Sequence, residues 1–236
     1  MNTRTLLIAA AIVAAVVFGG TYYAIERSTE GARREATEVY ALIRDEIANV
    51  VAEAETTLDG LAADPATLVD DPEACGEPLA AALAANPEIY DVFLRIQANG
   101  TLDCTPGGGG MSIDFSNRLY YSKAVEEGRF VVGEFLIGKV SQEQVLAVAR
   151  PVFDDAGDIA FVLVCGLKTG WLQAVIDQHR TDSDLIVEIA DSSGVLLSYF
   201  LGESTGGQSA ANKVELVRLP LLPGRSPAEV IIYTRT

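Results

Sequence analysis

Histidine is nearly absent from this chain: His179 is the only one in 236 residues, and it sits in the polar helix end DQHR. Neither a Ser-His-Asp triad nor a histidine-ligated metal cluster therefore has its parts. Paired carboxylates abound in so acidic a chain and mean little without geometry, so no catalysis is expected. Positive charge is scarce as well. Lys and Arg number 17 against 33 Asp and Glu, a formal net charge of −16. No basic patch exists to neutralise phosphates, which argues against a nucleic-acid partner. The glycine run PGGGG, Pro106 to Gly110, lacks the Gly-Lys-Ser/Thr ending of a phosphate-binding loop. The turn DDAGD, Asp154 to Asp158, lacks the alternating carboxylates and distal glutamate of a calcium loop. No metal and no cofactor is implied.

Cysteine is limited to three residues. Cys165 lies in the apolar run FVLVCGL and reads as a buried core thiol, whereas Cys75 and Cys104 lie in the polar, loop-like contexts ACGEP and LDCTP. A Cys75–Cys104 disulfide would suit an oxidising compartment and close a loop worth roughly 3–4 kcal/mol in the chain-entropy model. The alternative is two free surface thiols.

Apolar residues are plentiful, at 49% of the chain. Much of this share comes from Thr5 to Ile25, TLLIAAAIVAAVVFGGTYYAI, 21 residues without a charge. A helix of that length spans roughly 30 Å, the thickness of a bilayer's hydrocarbon, and Tyr22 and Tyr23 fall where an interfacial aromatic belt would lie. A cleaved signal peptide has a shorter apolar core and a small-x-small site, which YYAIERSTE does not offer. An uncleaved anchor is the expectation for residues 1–27. Its orientation is open, because Arg4 lies before the span and Arg27, Arg33 and Arg34 lie beyond it.

Residues 28–63 carry Val39, Ile43, Ile47, Val50, Ala54, Leu58 and Leu61 at steps of three and four, one apolar stripe on a long stalk helix. The stripe has three uses open to it: packing on its own domain, on a partner chain as in a homodimer, or on each in turn. DPATLVDDPEACGEP breaks the helix, and a short helix, PLAAALAANP, follows. Strand texture then sets in, with three hairpins marked by Asn or Asp with Gly: IYDVFLRIQ to TLDCT, QVLAVARPVFD to IAFVLVCGL, and across LIVEIADSSGVLLSYF. NRLYYSKAVEEG forms a helix before the strand RFVVGEFLIGKV, and WLQAVIDQHR forms another. The fold class is α+β: the anchor, the stalk, one antiparallel sheet module over 64–182, and a second, smaller module over 183–236.

The order of these parts resembles the extracellular sensor domains of the double Cache family, whose membrane-distal module is PAS-like. The resemblance rests on an anchor and long helix, a cysteine-flanked hairpin, and an Arg-x-aromatic-aromatic segment at Arg118, Tyr120 and Tyr121. It continues through a Val-Gly-Glu strand at Val132 to Glu134, the Ala-x-Pro-Val strand at Ala149 to Val152, an Asp/Gly turn and a Trp-Leu helix start. It covers roughly residues 35–180, with 185–236 resembling the start of the membrane-proximal module. The resemblance implies a small-molecule sensor outside the inner membrane of a bacterium, in a receptor whose cytoplasmic output is a diguanylate cyclase, histidine kinase or chemotaxis module. The chain ends at Thr236 in the strand-like EVIIYTRT, without a second apolar span, and is read as the N-terminal part of such a receptor or as one that signals through another chain.

In the amino-acid-binding branch of that family an arginine and aromatics hold the ligand carboxylate, and aspartates hold its ammonium. Arg118, Tyr120 and Tyr121 match the first part. Lys123 stands where an ammonium-binding aspartate is expected, and CGLK occupies the place of a later one. The residues thus point to an amine-free small anion held by Arg118 and Lys123, with Phe93, Phe135 and Arg150 as further candidates to line the pocket. The competing reading gives Arg118 a salt bridge or helix cap and the tyrosines to the core, leaving a ligand-free, membrane-anchored dimerisation or interaction domain.

Overall fold

The computed structural model describes residues 3–69, 71–178, 185–191, 194–200 and 213–235, and for residues 3–28 the backbone alone. The side chains of the anchor expected over 5–25, and all of His179, thus lie outside what is described. Among the described residues no helix is long and apolar enough to cross a membrane.

A single helix, α1 (Thr3–Ala63), takes up 61 residues. All seven residues of the expected stripe are buried, Ile43, Ala54 and Leu58 completely, and full burial of a leucine or isoleucine stabilises by about 1.5–3 kcal/mol. The stripe packs within its own chain, against two antiparallel sheets that share one continuous core. The first sheet lies along the C-terminal half of α1. The second lies along the middle of the helix, where Arg33 Nε donates to Leu216 O at 3.2 Å and Tyr40 Oη donates to Pro220 O at 2.9 Å.

After Ala63 the chain breaks into two capped helices. Asp64 accepts from Ala66 N at 2.8 Å to start α2 (Pro65–Leu68), and Asp71 accepts from Glu73 N at 2.9 Å to start α3 (Pro72–Ala85). Each has proline at its first position, where no N–H is needed. Helix α3 thus begins six residues before the expected start at Pro78, which it carries inside. This corrects the loop expected around Cys75: that residue is buried in α3. The disulfide to Cys104 is formed, with the two Cα atoms 6.4 Å apart, and ties α3 to the sheet.

The first sheet holds β1 (Tyr90–Gln97), β2 (Leu102–Cys104), β3 (Val131–Ile137), β4 (Gln144–Phe153) and β5 (Ile159–Lys168), in the order β2-β1-β5-β4-β3. One face meets α1, α3 and α5 (Gly170–Gln178) through Phe93, Phe135, Leu146, Leu163 and Leu167. Cys165 is buried in this core, and burial pushes its thiol well above the ordinary range, so it is inert. The other face meets α4 (Leu119–Glu127) and the segment before it through Leu94, Ile96, Phe115, Tyr120, Tyr121 and Val164. The second sheet holds β6 (Leu185–Asp191), β7 (Gly194–Phe200), β8 (Lys213–Pro220) and β9 (Glu229–Arg235), in the order β7-β6-β9-β8. The architecture is α+β with two antiparallel sheets, and the three expected hairpins are β1–β2, β4–β5 and β6–β7. Strand β8 was not anticipated, because most of it is exposed and lacks a buried alternation.

Candidate ligand-binding site

The α4 face of the first sheet carries its unusual features in one transverse row. Val92 of β1 pairs with Gly166 of β5, and Gly166 pairs with Ala147 of β4. Opposite Ala147 the register of β3 shifts between Val132 and Phe135, and on β1 it shifts between Tyr90 and Val92. Two irregularities thus flank a floor of small residues. A bulge re-aims side chains that strict alternation would assign to fixed faces. Val132 and Phe135 both belong to the α1-side core, so the two residues between them, Gly133 and Glu134, serve the α4 face. Asp91 does likewise at the other end: its Oδ2 lies 3.6 Å from where a Cβ on Gly166 would stand.

Above the floor sits the N-terminus of α4. Gly133 allows this approach, since a Cβ there would stand 2.6 Å from the Cβ of Tyr120. Arg118 is the N-cap residue, with an extended backbone and no capping hydrogen bond from its side chain. One guanidinium nitrogen donates to Ile137 O at 3.1 Å. Its Nε is buried without a partner, and so are Asp91 Oδ2 and Glu134 Oε2. Burial raises the pKa of Tyr120, the charge of Arg118 lowers it and that of Glu134 raises it, so all three groups share one neighbourhood. Tyr121 is also pushed up, mainly by burial, but its hydroxyl is committed. It lies 3.0 Å from Gln97 O and 2.9 Å from Ala98 O, pinning the β1–β2 turn.

Buried polar atoms are normally paired, and an unpaired charged one is costly. Among the described residues only four buried side-chain polar atoms have no partner, the fourth being Trp171 Nε1 on α5. Three of the four converge on one face, one from a cation and two from carboxylates. Such a set can take a small molecule that offers an acceptor to Arg118 and donors to Asp91 and Glu134.

No protein-family profile and no curated protein matches the chain. Solved structures do. The ligand-binding domain of the Pseudomonas aeruginosa PAO1 amino acid chemoreceptor PctC, in complex with GABA, aligns over 86% of this chain and 99% of its own, with 20% identity and a TM-score of 0.60. That of the Pseudomonas fluorescens chemoreceptor CtaA, in complex with L-serine, aligns over 87% and 98%, with 14% identity and a TM-score of 0.62. That of the Campylobacter jejuni chemoreceptor Tlp3, in complex with 4-methylisoleucine, aligns over 88% and 91%, with 12% identity and a TM-score of 0.60. The fold is that of the Cache-like sensor domains.

Within this Cache-like fold the residues singled out in the sequence fall in four places. Arg118 and Tyr120 share the α4 face with the unpaired carboxylates, and Tyr121 supports them from the β1–β2 turn. Phe93 and Phe135 lie on the opposite face, in the core against α1. Arg150 faces α1 as well, in an ion pair with Asp59 at 2.9 Å. Lys123 lines a separate cavity with Arg129, Phe130 and Arg225. Sequence reading missed Asp91 as a site residue and treated Glu134 only as part of a strand motif. Strict alternation along YDVFLRIQ does not reveal the first bulge, whereas Gly133 beside Glu134 was a visible signal for the second.

Proposed function

We propose that the chain is the extracytoplasmic sensing domain of a bacterial membrane receptor, and that it binds a small molecule carrying both a carboxylate and an ammonium group. The observation that carries this reading is the convergence of unpaired Arg118 Nε, Asp91 Oδ2 and Glu134 Oε2 over a small-residue floor. Arg118 with Tyr120 would take the carboxylate, while Asp91 and Glu134 would take the ammonium. The chemoreceptor domains of like fold were each solved with a molecule of this chemistry, GABA, L-serine or 4-methylisoleucine.

The amine-free anion expected from the sequence rested on two points. One was Lys123 beside Arg118, yet Lys123 faces another cavity. The other was the lack of a carboxylate near CGLK, and Asp91, packed over Gly166, supplies one from the neighbouring strand. The role is binding rather than catalysis. With residues 5–25 as an anchor, α1 would carry any rearrangement of the sheet toward the membrane.

A thermal-shift screen of the full chain against amino acids, simple amines and simple carboxylates tests the proposal. A ligand at a hundred times its Kd should add about 2.7 kcal/mol of stability. The expected hits carry both groups, and a panel in which nothing shifts the melting temperature contradicts the reading.

A further inference from the structure

The loop joining β8 to β9 closes at its base, where Leu221 N donates to Ala228 O at 2.8 Å. Its tip, Gly224 to Pro227, faces the C-terminal part of α4 and the start of β3 across a cavity of about 230 Å³. Lys123, Arg129 and Arg225 bring positive charge to this cavity, and Phe130, buried, forms part of its wall. Arg129 pairs with Glu127. Arg225 pairs with Glu55 of α1 at 2.8 Å and lies 5.3 Å over the ring of Phe130. Lys123, half-buried, has no hydrogen bond or ion pair among the described residues. Three cations thus meet two carboxylates, leaving a positive excess in a chain whose formal net charge is −16. Donor capacity is left over as well. The ammonium of Lys123 has three unspent donors, and Arg225 commits one guanidinium nitrogen of three.

We propose that this cavity binds a small dianion, of the phosphate type or with two carboxylates, held by Lys123, Arg129 and Arg225. A dianion has oxygens enough to reach both α4 and the β8–β9 loop, and charge enough to hold an ammonium and two guanidinium groups together. A monocarboxylate satisfies one of these partners and leaves the others. The dianion competes with Glu55 for Arg225, so its arrival shifts the tether of the loop from α1 toward α4. The site is independent of the Arg118 cluster, and it is the place in the fold where the amine-free anion chemistry of Lys123 is realised.

Calorimetric titration of the full chain with inorganic phosphate, with succinate and with acetate tests this. Phosphate or succinate is expected to bind, more weakly as sodium chloride is raised, because the cations are partly exposed and screened. Lys123→Gln and Arg225→Gln should each weaken binding by about tenfold or more, the scale of one lost charge-assisted contact. Lys123→Arg and Arg118→Gln should retain it. The proposal is overturned if neither dianion binds, if acetate binds as tightly, or if Lys123→Gln leaves the affinity unchanged.

Discussion

The two faces of the first sheet are built from the same five strands and follow opposite rules. Toward α1 the side chains are large and aliphatic or aromatic, and the charged group at its margin is paired, Arg150 with Asp59, as Tyr90 Oη is with Thr57 Oγ1 at 3.3 Å; the neutral Trp171 Nε1 alone is buried there without a partner among the described residues. Toward α4 the centre of the sheet shrinks to Gly166 and Ala147, and charged groups approach it from both sides and from above, each with one buried atom left without a partner. Both faces come from alternating strands, yet one spends its side chains on packing and the other leaves them unsatisfied. Stability and recognition are therefore separable in this molecule, and substitutions can show whether they are.

The largest effect is expected on the α1 face. Phe93→Ala empties a fully buried site and should cost about 3–5 kcal/mol of unfolding free energy in urea denaturation. A loss under about 1 kcal/mol would mean that this face does not carry the stability assigned to it. Next comes Arg118→Gln on the α4 face. Truncating one partner of a buried charge pair costs about 2–5 kcal/mol of binding, while stability should fall by only about 1 kcal/mol, one hydrogen bond to Ile137 O. Calorimetry and denaturation on the same preparation separate the two numbers.

Asp91→Asn and Glu134→Gln sharpen the contrast. Each removes a carboxylate with a buried, unpaired oxygen, so the free protein should be as stable as the parent or slightly more so, within about 1 kcal/mol. Affinity for an ammonium-bearing ligand should nevertheless drop. If either variant destabilised the protein as Phe93→Ala does, the carboxylates would belong to the framework. The smallest effect is on pH dependence. Burial raises the pKa of Tyr120 above its unfolded value near 10. The folded state therefore keeps this proton where the unfolded state has lost it, and the stability involved is complete below about pH 10 and declines as pH rises beyond it. Denaturation midpoints across that range should fall less in Tyr120→Phe than in the parent.

The α1 face was legible in the sequence because its signals are periodic. The stripe from Val39 to Leu61, the three hairpin turns and the burial of Cys165 all follow from spacing and turn chemistry alone, and each stands as read. The pairing of Cys75 with Cys104 was readable too, although Cys75 sits in a helix that Asp71 starts by capping. The α4 face was half legible. Arg118 and Tyr120 come from one short segment and stay together. Asp91 and Glu134 join them only because two register shifts turn their side chains onto that face, an event decided by pairing between strands distant in sequence. Lys123 parts from them for the converse reason: closeness in sequence to Tyr121 did not make it a neighbour of that site, since two residues along α4 carry it to the cavity beside Arg225.

The most direct test is a calorimetric comparison, on the full chain, of one amino acid found active in the screen with its des-amino carboxylate and with its decarboxylated amine. If Arg118 reads the carboxylate while Asp91 and Glu134 read the ammonium, the parent amino acid binds best and each half-molecule is weaker by about tenfold or more, the scale of one charge-assisted contact. A des-amino carboxylate that binds as tightly as the amino acid, or more tightly, would contradict this account and return the pocket to an amine-free anion.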